Sequence, residues 1–305
     1  MEEKRYAIVT GGNRGIGYEI CRQLASKGVE VILTSRNQDR GEEAVKKLNA
    51  SGFSNVVFHQ LDINDLSSIS CLAKFVQTHF GKLDILINNA GEMGVIVLHE
   101  EEFRATGGYV HVLDEKAHLL TNVIEEPYEL GEKCLKTNYY AIKTITEAFI
   151  PLLQLSKSPR IVNVSSLYGD LYWLHNEKLK EELQDIDNLT DERLDEIVQW
   201  FLTDFKDGQL KKNGWPLTVS AYKVSKIALN AYTRLMAKQY KDILVNCVHP
   251  GSVKTDMSSQ TGSATVEEGA KGPVMAALLP DNGPSGVYFN QTQIGIFSSK
   301  TSPFV

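Results

Sequence analysis

The chain has 305 residues, 42% hydrophobic and 23% charged, which suits a soluble globular protein able to bury a sizeable core. A formal net charge of −6 and a pI near 5.7 exclude binding to nucleic acid or to an anionic membrane by charge alone. No apolar run is long enough to span a bilayer. Cys21, Cys71, Cys134 and Cys247 stand too far apart for a disulfide framework or a zinc site, so metal chemistry is not expected. The opening Met1-Glu2-Glu3-Lys4-Arg5 runs straight into an apolar strand without the hydrophobic core of a signal peptide, and a cytoplasmic protein is expected.

Tyr6–Val9 reads as a short buried parallel strand. It enters a glycine-rich turn and then a helix with Ile16, Ile20 and Leu24 on one face, stopped by Gly28. Val29–Leu33 is a second strand, followed by a polar helix with Ala44 and Leu48 inward. Asn55–Ile63 is a third strand, and Asp65–Phe80 a helix whose stripe is Leu66, Ile69, Leu72, Ala73 and Val76. Leu83–Ile87 is a fourth strand, ending in Asn88-Asn89-Ala90-Gly91.

The rhythm breaks over 92–126, read as a loop or lid that holds His111 and His118. Helix resumes near Pro127 and runs through Asn138 to about Leu153, before a fifth strand at Arg160–Ser166. Asn163-Val-Ser165 matches the glycosylation pattern, but a strand is the wrong place for an acceptor. Residues 167–216 interrupt again, with an amphipathic helix on Leu194, Ile197, Val198, Phe201 and Phe205. A helix carrying Tyr222, a strand at Ile243–Val248, a helix near 265–279 and a strand near 286–289 complete the chain. Strands alternating with helices of this length predict an α/β protein with a parallel sheet covered on both faces. A single domain over 1–305 with two insertions is expected.

Gly11, Gly15 and Gly17 between the first strand and first helix allow a tight turn and close approach of a pyrophosphate to backbone N–H groups. That predicts a dinucleotide site in a Rossmann-type doubly wound sheet. A carboxylate at the end of the second strand would hold the adenosine ribose and repel a 2′-phosphate. Here the strand ends Thr34-Ser35-Arg36-Asn37, and Arg36 with Arg14 can pair with that phosphate, so NADP(H) is expected. Tyr222 and Lys226 lie four apart on one helical face, where a fixed ammonium lowers the pKa of a phenol and makes it a usable general acid.

Thr10-Gly-x3-Gly-x-Gly17, Asn88-Asn-Ala-Gly91, Asn138, Val164-Ser165-Ser166, Tyr222-x3-Lys226 and Pro250-Gly251 stand in one order. In that order the chain resembles the short-chain dehydrogenases/reductases, over almost everything outside the two insertions. The resemblance implies Tyr222 as the acid that protonates a carbonyl oxygen, and Lys226 as its modulator and a ligand of the nicotinamide ribose. It implies Ser166, rather than Ser165, as the hydroxyl that holds the carbonyl, and Asn138 as a local helix interruption holding a water linked to Lys226. For the cofactor it implies Gly11, Asn13, Arg14, Gly15, Ile16, Gly17, Ser35 and Arg36, then Asp62 and Ile63 near the adenine. Asn89, Ala90 and Gly91 would hold the adenosine side, and Pro250, Gly251, Val253 and Thr255 the nicotinamide amide.

The length of the 167–216 insertion is similar to monomeric carbonyl reductases and to the plant salutaridine reductase/menthone reductase group, and the further insertion at 92–126 favours the plant group. A ketone of an apolar cyclic molecule is therefore the expected substrate, with Tyr168, Tyr172 and Trp173 as candidates for an apolar wall. Trp200 and Phe201 read as packing residues. The insertion 167–216 has an apolar face to bury and would cover the usual subunit interface, so a monomer is expected. The alternatives are reduction of a conjugated C=C bond, or a catalytically silent NADPH-sensing protein; the intact Asn138, Ser166, Tyr222 and Lys226 set favours the ketone reductase.

Overall fold

The computed structural model describes residues 4–108, 120 and 122–298. Its first half follows a strand–helix rhythm: β1 (Tyr6–Val9), α1 (Gly15–Ser26), β2 (Glu30–Ser35), α2 (Gln38–Ala50), β3 (Val56–Gln60), α3 (Leu66–His79) and β4 (Ile85–Asn88). A short pair, β5 (Ile96–Val97) and β6 (Ile124–Glu125), flanks α4 (Glu100–Ala105). Next come α5 (Tyr128–Leu135), a π-helical turn at Lys136–Tyr140, α6 (Ala141–Leu153) and β7 (Arg160–Val164). The second insertion supplies α7 (Glu177–Gln184), α8 (Asp191–Lys206) and α9 (Leu210–Asn213). The chain then forms α10 (Ser220–Gln239), β8 (Leu244–His249), α11 (Val266–Ala277), β9 (Tyr288–Asn290) and β10 (Gln293–Ile294).

Strands β1, β4, β7 and β8 are apolar on both sides because helices cover both faces. The sheet order is β10-β9-β8-β7-β4-β1-β2-β3, parallel throughout except for the β10 edge, which runs antiparallel to β9. The connections reverse direction between β1 and β4, which opens a crevice at the carboxyl ends of those two strands. One face packs α1, α2 and α11 through Ile20, Leu24, Leu48 and Val274. The other packs α3, α5, α6 and α10 through Leu72, Leu135, Phe149 and Val224.

Helix α8 lies across α10 and α5, burying Leu194, Ile197, Val198 and Phe201, with Phe205 half-buried. Phe201 packs edge-on to Trp215 at 5.3 Å, and Trp200 does the same at 5.0 Å. A polar anchor fixes the rotation of α8. The buried Lys143 of α6 pairs with Asp195 at 2.7 Å and Asp191 at 2.8 Å, and the Tyr139 hydroxyl donates to Asp195 at 2.7 Å.

Several expected boundaries move. The third strand stops at Gln60 rather than Ile63 because the Asp62 carboxylate takes the Asn64 N–H at 2.9 Å and turns the chain. The fifth strand stops at Val164 rather than Ser166, since the Ser166 hydroxyl takes the Tyr168 N–H at 3.2 Å and starts a 3₁₀ turn. Leu66, expected in the buried stripe of α3, is 69% exposed: it begins the first turn at the rim of the stripe, beyond the cover of the sheet. The lid region holds α4 and the β5–β6 pair, while His111 and His118 lie outside the described residues. Asn163 is fully buried and donates to Thr233 at 2.9 Å, so it is no glycan acceptor.

Candidate active site

Thr10 directly follows β1. Its hydroxyl oxygen accepts the N–H groups of Asn89 at 2.9 Å and Ala90 at 3.0 Å, which fastens the turn after β1 to the turn after β4. Asn89 answers by donating to the Thr10 carbonyl at 2.9 Å. Gly11 and Gly15 hold positive φ angles of 65° and 55°, which glycine adopts without strain. A Cβ on Gly17 would lie 2.4 Å from the Gly11 carbonyl oxygen, so the α1 start can sit against the turn only with glycine there. No side chain caps the N-terminus of α1 and no acid lies in its first turn, leaving its N–H groups and positive dipole end for an anion.

A cleft of about 520 Å³ opens here. Gly11, Asn13, Arg14, Gly15, Ile16, Gly17, Ser35, Arg36, Ile63, Asn89, Ala90, Gly91, Tyr222, Lys226, Pro250 and Thr255 all border it. Three of the expected cofactor residues do not. The carboxylate of Asp62 is turned to its own loop, Gly251 bends the chain at φ 91°, and Val253 is buried beneath Gly269. Arg40 also borders the cleft, and sequence reasoning missed it. Arg40 stands in the first turn of α2, four residues beyond Arg36, so the run of cations continues past the strand end into the helix. Two cations here already face carboxylates, Arg14 with Asp256 at 2.7 Å and Arg36 with Glu92 at 3.5 Å.

Helix α10 brings Tyr222 and Lys226 to the inner end of the cleft. The Tyr222 hydroxyl is hydrogen-bonded to Ser166. Ser165 borders the cleft, but its hydroxyl donates to Asn230 at 2.6 Å, so Ser166 is the serine left facing the phenol. Lys226 is buried, donates to the Val164 carbonyl at 2.9 Å and stands 5.5 Å from the centre of the Tyr222 ring. Burial raises the phenol well above its ordinary value, and the Ser166 hydrogen bond opposes this. Burial also pulls Lys226 down to about 8. The expected lowering of the phenol by Lys226 is opposed here: burial pushes Tyr222 upward, and the Lys226 ammonium is turned toward the Val164 carbonyl.

Asn138 lies in the π-helical turn, where the Ala141 N–H reaches the Lys136 carbonyl. Its side chain brackets Glu92, donating to the carbonyl and accepting from the N–H, both at 2.8 Å, and it also donates to Ser225 at 3.0 Å. It thereby ties the first insertion to the Tyr222 helix. Tyr168, expected against a substrate, is buried behind the phenol, edge-on to the Tyr222 ring at 6.1 Å, and does not border the cleft. Trp173 is buried next to it at 5.2 Å.

Known proteins resemble this chain. Residues 5–177 match the family described as short chain dehydrogenase, and residues 210–277 match one described as enoyl-(acyl carrier protein) reductase. The chain is 51% identical over 300 residues to (+)-neomenthol dehydrogenase of Arabidopsis thaliana, covering 97% of this chain and 99% of that one. It is 49% identical over 304 residues to (−)-isopiperitenone reductase of Mentha piperita, covering 94% and 96%. The solved structure of salutaridine reductase from Papaver somniferum superimposes with a TM-score of 0.85 at 50% identity, covering 94% of this chain and 99% of that one. With its glycine turn, its Tyr222-x3-Lys226 helix and these relatives, the chain belongs to the short-chain dehydrogenase/reductase family of nicotinamide-dependent oxidoreductases.

Proposed function

We propose that the protein is an NADPH-dependent reductase that turns the ketone of an apolar cyclic molecule, of terpenoid or alkaloid type, into an alcohol, with Tyr222 as the proton donor. The observation that carries this is the Tyr222 hydroxyl, hydrogen-bonded to Ser166 beside a cleft that Tyr222, Lys226, Arg14, Arg36 and Arg40 border together. The names of the relatives, a menthol-type dehydrogenase and an alkaloid reductase, support the substrate class.

The chain's own groups fit the cofactor. Gly11, Gly15, Gly17 and the open α1 terminus would hold the pyrophosphate, and the arginines the 2′-phosphate. NADPH, when bound there, would supply the hydride. Ser166 holds the carbonyl oxygen, and Tyr222 donates its proton to that oxygen as negative charge develops there. Lys226 places a cation beside the phenol and is available to the nicotinamide ribose, while Asn138 holds the Glu92 backbone to the π-helical turn. A phenol placed to protonate an oxygen favours ketone reduction over the enone reduction that the name of isopiperitenone reductase suggests, and over a silent NADPH sensor. Four free thiols support a reducing, cytosolic location.

Four outcomes are expected. Tyr222→Phe keeps the ring but lowers single-turnover ketone reduction by about 10²–10⁴-fold; a rate equal to wild type sinks the role. The ratio kcat/KM for NADPH, which reports groups of the free enzyme, falls as pH rises through about 8, where Lys226 loses its charge. A flat profile across that range removes Lys226 from cofactor binding. Arg36→Asp weakens NADPH by roughly tenfold or more while sparing NADH, since charge-assisted hydrogen bonds are worth about 1.5–3 kcal/mol; wild-type affinities equal for the two cofactors refute this. Finally, α8 covers α10 and α5, so sedimentation gives a monomer of 34.0 kDa, and a stable tetramer at micromolar concentration overturns it.

A further inference from the structure

Tyr222 is the third residue of α10, so its place depends on how the first turn of that helix is held. The helix has no cap of its own. Val219, just before it, is fully buried and offers no side-chain acceptor. It also sits in the left-handed region at φ 48°, which a β-branched residue resists. The acceptors come instead from Glu126, the residue that follows β6 and closes the first insertion. Its carboxylate takes the N–H of Val219, the N–H of Ser220 at 2.7 Å and the hydroxyl of Ser220 at 2.8 Å.

A second set of contacts surrounds the same turn. Lys223, adjacent to Tyr222, is fully buried; its ammonium lies 4.3 Å from the Trp173 ring centre and 5.6 Å from that of Tyr168, and donates to Thr218 at 3.1 Å. Tyr168 in turn backs the Tyr222 ring edge-on. Burial raises the Glu126 carboxyl, opposed by the hydrogen bonds to Ser220 and Val219 and by the charge of Lys223.

We propose that Glu126 is a positioning residue for the reaction: by holding the left-handed Val219 and the first turn of α10, it sets the Tyr222 hydroxyl against Ser166. The inference rests on Tyr222 as proton donor. It makes the end of the first insertion part of the catalytic geometry, although Glu126 does not border the cleft.

The test uses the full chain with NADPH and a ketone that the wild type reduces. Glu126→Gln keeps the size but offers one acceptor oxygen in place of two, and Glu126→Ala offers none. Hydride transfer at saturating ketone is expected to fall roughly tenfold in the glutamine variant and up to about a hundredfold in the alanine variant, as the loss of hydrogen bonds to a charged group implies. NADPH affinity, read by fluorescence, stays within about twofold, since the cofactor residues are untouched. The deuterium isotope effect on kcat with 4-deuterated NADPH rises, because the chemical step becomes limiting.

Glu126→Ala combined with Val219→Gly recovers much of the rate, since glycine holds φ 48° without needing the carboxylate. A merely structural Glu126 lowers the folded fraction but leaves the rate per folded molecule at the wild-type value, and that result overturns the inference. A double variant as slow as Glu126→Ala overturns it too. If the alanine variant does not fold, the glutamine variant carries the same reading. Full activity of Tyr222→Phe defeats the reading of Tyr222 itself. An inactive Tyr222→Phe beside a fully active Glu126→Ala defeats only the role given to Glu126.

Discussion

The structure depends on how two parallel strands, β1 and β4, are joined at their carboxyl ends. Each must turn away from the sheet within a residue or two, and each turn leaves backbone N–H groups that need acceptors. The Thr10 hydroxyl meets that need for Asn89 and Ala90, and Asn89 returns a bond to Thr10. A deeper link, Asn88 to Asn163 at 2.8 Å and Asn163 to Thr233 at 2.9 Å, runs from β4 across β7 to α10. The glycine turn and the Tyr222 helix are therefore registered to one another through the sheet, and the cleft between them has fixed ends.

Burial governs the chemistry of the inner end. A phenol that loses water is held protonated, and an ammonium that loses water is brought toward neutrality; both shifts follow from the same cost of charge in a poorly solvated place. The acid role proposed for Tyr222 would use the protonated phenol, the form that this upward shift favours.

The sequence made the framework legible where chemistry repeats at fixed offsets. The strand–helix alternation, the glycine spacing and the Tyr222-x3-Lys226 pair each reflect one local constraint, and each is found where it was expected. What the sequence did not show depends on contacts between distant segments. Nothing in Tyr168 itself says whether its ring faces a substrate or backs Tyr222, because that depends on where Lys223 and Trp173 pack. For a similar reason, helical spacing brings Lys226 near Tyr222, but only the fold shows its ammonium turned to the Val164 carbonyl. Strand ends were overrun at Ile63 and Ser166 because an apolar run does not reveal that Asp62 or Ser166 will hydrogen-bond backward into a turn.

The outer end of the cleft follows the opposite rule. Arg14 and Asp256 are 64% and 66% exposed, and ion pairs in water contribute little to stability. At the proposed cofactor site their presence would have a different use. An arginine held by a carboxylate is already oriented, and exchanging that partner for a phosphate replaces one singly charged acceptor with a more highly charged one bearing three oxygens. Asp256 belongs to the loop after β8, and Glu92, the partner of Arg36, begins the first insertion, so the two ion pairs lie on the segments that flank the cleft. The strongly desolvated contacts hold Tyr222 in place, while the weak solvated ion pairs lie at the exposed rim of the cleft. That division of burial along one cleft sets a rigid Tyr222 and solvated arginines at a single sheet edge.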